Sequence, residues 1–129
     1  MIKSIVFMMK NVEGYKLLYP NNHSGSFQIA CVSEMSDRDF LFMLERLQNP
    51  KFQDYIFPQS TGLVECRIML KKVHDDCYVL DLNLGLINLS RMSKIEFDEL
   101  VKDLSLLQTR QIGSKVYFPE ANHNLYDTY

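Results

Sequence analysis

The sequence predicts an α+β fold: a tandem β-β-β-α repeat whose two copies close on each other as an intramolecular pseudo-dimer, with an antiparallel sheet and two packed helices. Three observations predict it. One is an ungapped internal match carrying an apolar helical stripe in each copy. The second is a set of strand-like stretches ahead of each stripe. The third is a composition that suits a single buried core. The chain has 129 residues, which fits one domain. Apolar residues make up 47% and charged residues 23%, an ordinary globular balance that excludes a disordered or fibrous chain. At this length folding hides roughly two-thirds of the unfolded surface, so a core without disulfide staples is feasible.

The match runs from Ser33 to Leu47 and from Ser90 to Leu104 at a constant offset of 57 residues, with five of fifteen positions identical. These are Ser33/Ser90, Met35/Met92, Ser36/Ser93, Phe40/Phe97 and Leu47/Leu104. Ser36 and Ser93 are suited to cap a helix by accepting hydrogen bonds from first-turn amides. An acid follows three residues later in each, Asp39 or Glu96; the second forms a capping box and the first a near variant. Phe40, Met43, Leu44 and Leu47 fall at i, i+3, i+4 and i+7, and Phe97, Leu100, Val101 and Leu104 repeat that stripe. Asn49-Pro50 ends the first helix, because the residue before proline is pushed out of helical dihedrals. The second helix is expected to run to about Gln108.

Upstream, Ile2–Lys10 and Val64–Lys72 match at an offset of 62, pairing Lys10 with Lys72. In the second stretch Val64, Cys66, Ile68 and Leu70 alternate with polar or longer side chains, the period of a half-buried strand. Turns at Val12–Gly14 and His74–Asp76 lead to second strands at Tyr15–Tyr19 and Cys77–Asp81. Third strands follow at Phe27–Val32 and Leu84–Leu89. The difference in offset places five extra residues in a Pro20–Gly25 loop. The domain thus reads as copy one (1–50), a connector (51–61) packed across the core through Phe52, Tyr55 and Phe57, copy two (62–108), and a closing strand Lys115–Phe118 with a tail (109–129). Fusion makes the pairing of the copies unimolecular, which favours it through effective concentration.

Lys and Arg number 14 against 16 acids, a net charge of −2. That counts against binding driven chiefly by phosphate neutralisation, which normally needs a basic excess. The three cysteines, Cys31, Cys66 and Cys77, lack CxxC spacing and are read as core thiols in a reducing, cytoplasmic setting. The longest apolar runs fall far short of the ~20 residues of a membrane helix, and Met1-Ile2-Lys3-Ser4 does not look like a secretory leader. His23, His74 and His123 lie in expected loops without the spaced ligand pairs of a zinc site. The acid pairs Asp75/Asp76 and Asp98/Glu99 read as solvated. No catalytic residue, metal site or cofactor is expected, and no glycine-rich phosphate loop or nucleophile motif is present.

What remains is a set of basic and aromatic residues around the two first hairpins: Lys10, Tyr15, Lys16, Arg67, Lys71, Lys72 and Tyr78. Such a surface would suit a partner protein, or a single-stranded nucleic acid held by phosphate attraction and base stacking. The stretch Gly85-Leu-Ile-Asn-Leu-Ser-Arg-Met-Ser-Lys-Ile-Glu-Phe-Asp-Glu-Leu100 resembles the last-strand-to-helix segment of PUR-type repeats and whirly-like single-strand binders. That resemblance implies a pseudo-dimer of sheet-then-helix units and an affinity for single strands. Those repeats use four strands and a more basic sheet, where three strands per copy are read here. The whole-chain pattern is also similar to small bacterial tandem-repeat proteins of unknown function. Cysteines near a turn of that group have no counterpart in Tyr19–Gly25. The expectation is a non-enzymatic binding or adaptor module with a protein partner and no membrane association. A single-stranded nucleic-acid binder is second, and a Cys-based or metal-dependent enzyme third. A homodimer is left open.

Overall fold

The computed structural model describes residues 6–23, 26–58, 67–82 and 87–119, with the backbone alone at 20–23, 26–30 and 87. Both helices begin where their caps predict. Asp39 N–H donates to Ser36 Oγ at 3.1 Å to open α1 (Asp37–Gln48). At Ser93 the capping box is complete: Glu96 N–H donates to Ser93 Oγ and Ser93 N–H to Glu96 Oε1, opening α2 (Lys94–Leu107). Each stripe is buried as its spacing requires, with Leu107 extending the second.

The strands are β1 (Phe7–Asn11), β2 (Gly14–His23), β3 (Ser26–Met35), β4 (Asp54–Phe57), β5 (Ile68–His74), β6 (Cys77–Leu82), β7 (Ile87–Met92) and β8 (Lys115–Tyr117). They form two antiparallel four-stranded sheets rather than one, in the orders β3-β2-β1-β8 and β4-β5-β6-β7. The connector supplies a strand: β4 pairs with β5 as the edge of the second sheet. The closing strand β8 follows α2 yet pairs with β1 at the other end of the chain. Each sheet therefore takes three consecutive strands and completes itself with a fourth that follows the helix of the opposite half. This exchange ties the halves through backbone hydrogen bonds as well as apolar contact.

The surplus residues between β2 and β3 do not form the expected Pro20–Gly25 loop. Pro20 to His23 pair with Ile29 to Ser26, so the insertion lengthens a hairpin. The expected strand beginnings at residues 2–5 and 64–66, together with Cys66 and the tail from Glu120, lie outside the described residues. One cluster of buried side chains joins both sheets and both helices, including Met8, Leu17, Phe40, Met43, Phe57, Leu70, Leu80, Phe97 and Leu104. Full burial of one such side chain stabilises by roughly 1.5–3 kcal/mol.

The cysteine reading needs correction. Cys31 is exposed and Cys77 half-buried. Cys31 stands opposite Leu18 just past a β-bulge at Leu17/Leu18, and its partner Leu18 is itself only half-buried. A strand rich in apolar residues still alternates its faces, so one thiol goes outward.

Candidate functional site

The seven basic and aromatic candidates do not form one patch. Tyr15 and Tyr78 are buried, and their ring faces are taken. Tyr15 stacks on Phe40 with ring centres 3.7 Å apart, and Tyr78 on Phe97 at 4.0 Å. The stacking expected of them toward a nucleobase is filled by the helices, a correction to their reading as surface residues. Burial, then the Asp37 charge, raises the Tyr15 hydroxyl above its ordinary pKa, so it stays protonated.

Lys10 also serves the fold. Its Nζ donates to the carbonyls of Gln108 at 2.7 Å and Arg110 at 2.8 Å. α2 has no basic residue in its last turn, and Lys10 of β1 supplies the cation that the negative end of the helix favours. Hydrogen bonds to a charged group contribute about 1.5–3 kcal/mol. Lys10→Met is therefore expected to lower unfolding free energy by about that amount, measured by urea titration. A loss below ~0.5 kcal/mol would show those bonds to be idle.

Lys16 projects from β2 beside Glu34, 3.4 Å away, and Lys71 occupies β5 in register with Asp54 and Val79. Arg67 precedes β5, half-buried and engaged in an interaction of its own. Lys72 lines a sizeable cavity together with Tyr78. That space of about 420 Å³ lies between the end of α1 and the body of α2; Tyr78, Phe52 and Phe97 contribute to its wall, and Lys94 and Asp98 stand at its side.

A second space, of about 430 Å³, was not anticipated. It is a groove between Ser33–Met35 of β3 and Tyr55–Pro58, walled by Asp39 and Phe42 of α1. β3 has one strand neighbour, β2, among the described residues, and its Ser33–Met35 segment lines the groove. Phe42 is 48% exposed at the groove, although its neighbour Met43 is fully buried. Arg46 lies 5.9 Å from the Phe42 ring and 5.6 Å from that of Tyr55, and its guanidinium donates to the Asp54 carbonyl at 3.2 Å. Burial raises the Tyr55 hydroxyl pKa; Arg46 opposes the rise and Asp39 adds to it. The groove is thus apolar at its base and acidic at Glu34 and Asp39, with one arginine held at the side.

The outer face of the first sheet carries a third feature. Tyr117, Phe7 and Leu18 lie side by side across β8, β1 and β2. The Tyr117 and Phe7 ring centres are 5.3 Å apart, and the Lys115 ammonium is 5.3 Å from that of Phe7. Tyr117 is 54% exposed. Sequence reasoning placed the surface aromatics at Tyr15 and Tyr78, whereas the alternation of β8 puts one at Tyr117.

Among the described residues no group of three His, Cys, Asp or Glu side chains is arranged to hold a metal ion. The Cys31 thiol is raised above its ordinary pKa by desolvation and by Glu34, against the lowering effects of Lys16 and the Ser33 backbone. A raised thiol pKa means less thiolate, the opposite of what a nucleophile needs. Asp76 is more than a solvated turn residue: its Oδ1 accepts from Lys94 N–H at 3.0 Å and adds a second cap to α2. Among the described residues no helix is long and apolar enough to cross a membrane. No protein-family model, curated protein or solved structure matches the chain.

Proposed function

We propose that the protein is a non-enzymatic binding module whose groove between β3 and β4 takes an extended segment of a partner protein. The groove itself carries this reading: a strand with one neighbour among the described residues, an apolar base, and an exposed aromatic ring at one wall. An extended peptide joining an open strand edge gains affinity from main-chain hydrogen bonds and specificity from alternate side chains. Glu34 and Asp39 favour a basic residue in that segment.

An internal duplication supports the same reading. The two sheets have the same strand sequence around each helix once β4 and β8 are exchanged. Their second and third strands carry bulges at Leu17/Leu18 and at Leu80/Asp81, and each sheet stacks a tyrosine on a helix phenylalanine. The stacked pair makes Tyr15 the counterpart of Tyr78, one residue beyond the alignment read from sequence, with the extra residue in the irregular Lys72–His74 turn. By this equivalence Ser33 matches Ser90, and Pro58 matches Pro119. Ser90 Oγ is hydrogen-bonded to the Pro119 carbonyl across its seam, whereas Ser33 and Pro58 line an open groove. One seam is closed by the protein's own side chain and the other is open to a guest.

The test is selection from a display library of random twelve-residue peptides. Enriched sequences should alternate apolar with other residues and include Lys or Arg. Phe42→Asp, at an exposed helix position, should weaken the selected peptides at least tenfold while leaving the circular dichroism unchanged. Failure to enrich any sequence, or equal binding by the variant, would reject the groove as the site.

A second reading rests on the Tyr117–Phe7–Lys115 face, whose aromatic rings and cation suit a single-stranded nucleic acid. The net charge of −2 and the Lys16–Glu34 pair weigh against it. Titration with a labelled single-stranded oligonucleotide at low salt separates the two readings.

A further inference from the structure

We infer that the cleft between the end of α1 and α2 is a separate site for a small aromatic anion, an aryl carboxylate or sulfonate, held between Lys72 and Lys94. The cleft measures about 420 Å³, within the range of small-molecule sites, and its wall is mixed, with Gln48, Asn49, Lys72, Lys94 and Asp98 standing among apolar side chains. Phe52, Phe97 and Tyr78, stacked on one another and buried, give it a rigid apolar floor for a ligand's hydrocarbon part.

The corresponding place in the other half shows what is unusual here. There Lys10 spends its ammonium on two helix-end carbonyls, Gln108 and Arg110. Lys72 holds the matching strand position, and its amide donates to the Gln53 carbonyl much as that of Lys10 donates to Ser114. Its ammonium, however, has among the described residues only Asp75 at 3.7 Å, a fully exposed carboxylate. Lys94 adds a second cation where Asp37 stands in the other half. It is paired at 2.7 Å with Asp98, both side chains more than half exposed. Exposed ion pairs of this kind are weak, so an anion entering the cleft can draw both ammonium groups away from their partners at little cost. Asp98 is the group an anion must avoid, which favours one negative charge over two.

The experiment titrates the full chain with 8-anilinonaphthalene-1-sulfonate, followed by fluorescence, under conditions where the protein keeps its folded melting transition. Saturable binding at one site is expected. Lys72→Gln combined with Lys94→Gln should weaken it at least tenfold, Asp98→Asn should strengthen it, and Lys115→Gln should leave it unchanged. 1-Naphthoate should compete and 1-naphthalenemethanol should not. No saturable binding, equal competition by the neutral alcohol, or equal affinity in the double variant would overturn the inference. Phe42→Asp should not affect this titration, so the peptide groove and the cleft stand or fall separately.

Discussion

Phe97→Ala should destabilise the protein by about 3–5 kcal/mol, the range for removing a buried aromatic ring and leaving a cavity. Phe97 is 3% exposed and sits where α2 meets both β6 and the segment leading into β4. Its ring stacks on Tyr78 at 4.0 Å and on Phe52 at 5.6 Å, so truncation strips contact from two further aromatic residues. Tyr78 is held by its pairing in β6 and Phe52 by its N–H bond to the Asn49 carbonyl, which limits collapse into the gap and places the cost toward the upper end. A domain's whole stability is about 5–15 kcal/mol, so such a loss is a large share of it. Urea titration should show a lower midpoint with an unchanged slope. Ile95→Ala serves as the control: Ile95 is 71% exposed two positions earlier, and its loss should stay within ~0.5 kcal/mol. A Phe97→Ala cost below ~1 kcal/mol would mean that the helix stripes do not close the core.

The helices were legible because their signals are local. A capping serine, an acid three residues on and a stripe at helical spacing all lie within fifteen residues, and the structure places each as expected. Strand partnership depends on residues far apart, and there the reading fell short. It took 51–61 as a connector because Pro50 and Pro58 bracket it, yet Asp54–Phe57 pairs with β5. A usable signal was present: Tyr55-Ile-Phe-Pro58 and Val116-Tyr-Phe-Pro119 share an apolar pair followed by Phe-Pro. Read as a repeated strand, they would have predicted four strands for each sheet. Which sheet each strand joins would still have been hidden, because the exchange between halves leaves no local mark.

The candidate residues failed for a related reason. Composition shows that lysines and tyrosines gather around the first hairpins but not which face each one takes. Lys10 and Tyr15 pair directly in the β1–β2 register and turn toward the helices. Lys16, one residue further on, takes the opposite face beside Glu34. A one-residue step reverses a strand's side chain, so an uncertain register divides such a list between core and surface. The groove at Phe42 was beyond local reading altogether. It arises where β3, α1 and β4 converge, and the only hint was an apolar residue off the helix stripe.

Gly14→Ala is expected to cost about 3 kcal/mol or more, although it adds a single methyl group, from backbone strain of ~1–3 kcal/mol and overpacking of similar size. Gly14 begins β2 with φ of 133°, a conformation that side chains rarely adopt. A Cβ built there would lie 2.1 Å from the Met35 carbonyl oxygen and 3.3 Å from Ser36 Cα. Neither neighbour is free to retreat. Met35 is in register with Tyr15, and Ser36 caps α1 while its carbonyl accepts from Phe40 N–H at 2.9 Å. The strain would therefore pass into the β3–α1 junction, disturbing both the Tyr15–Phe40 stack and the wall of the groove. Thermal unfolding should show the lower midpoint, and amide exchange should quicken at Asp39 and Phe40 before the α2 core. Comparable loss of protection at both helices would place the damage in global unfolding. A midpoint within a degree or two of the parent would show that the β3–α1 junction yields more readily than its packing implies.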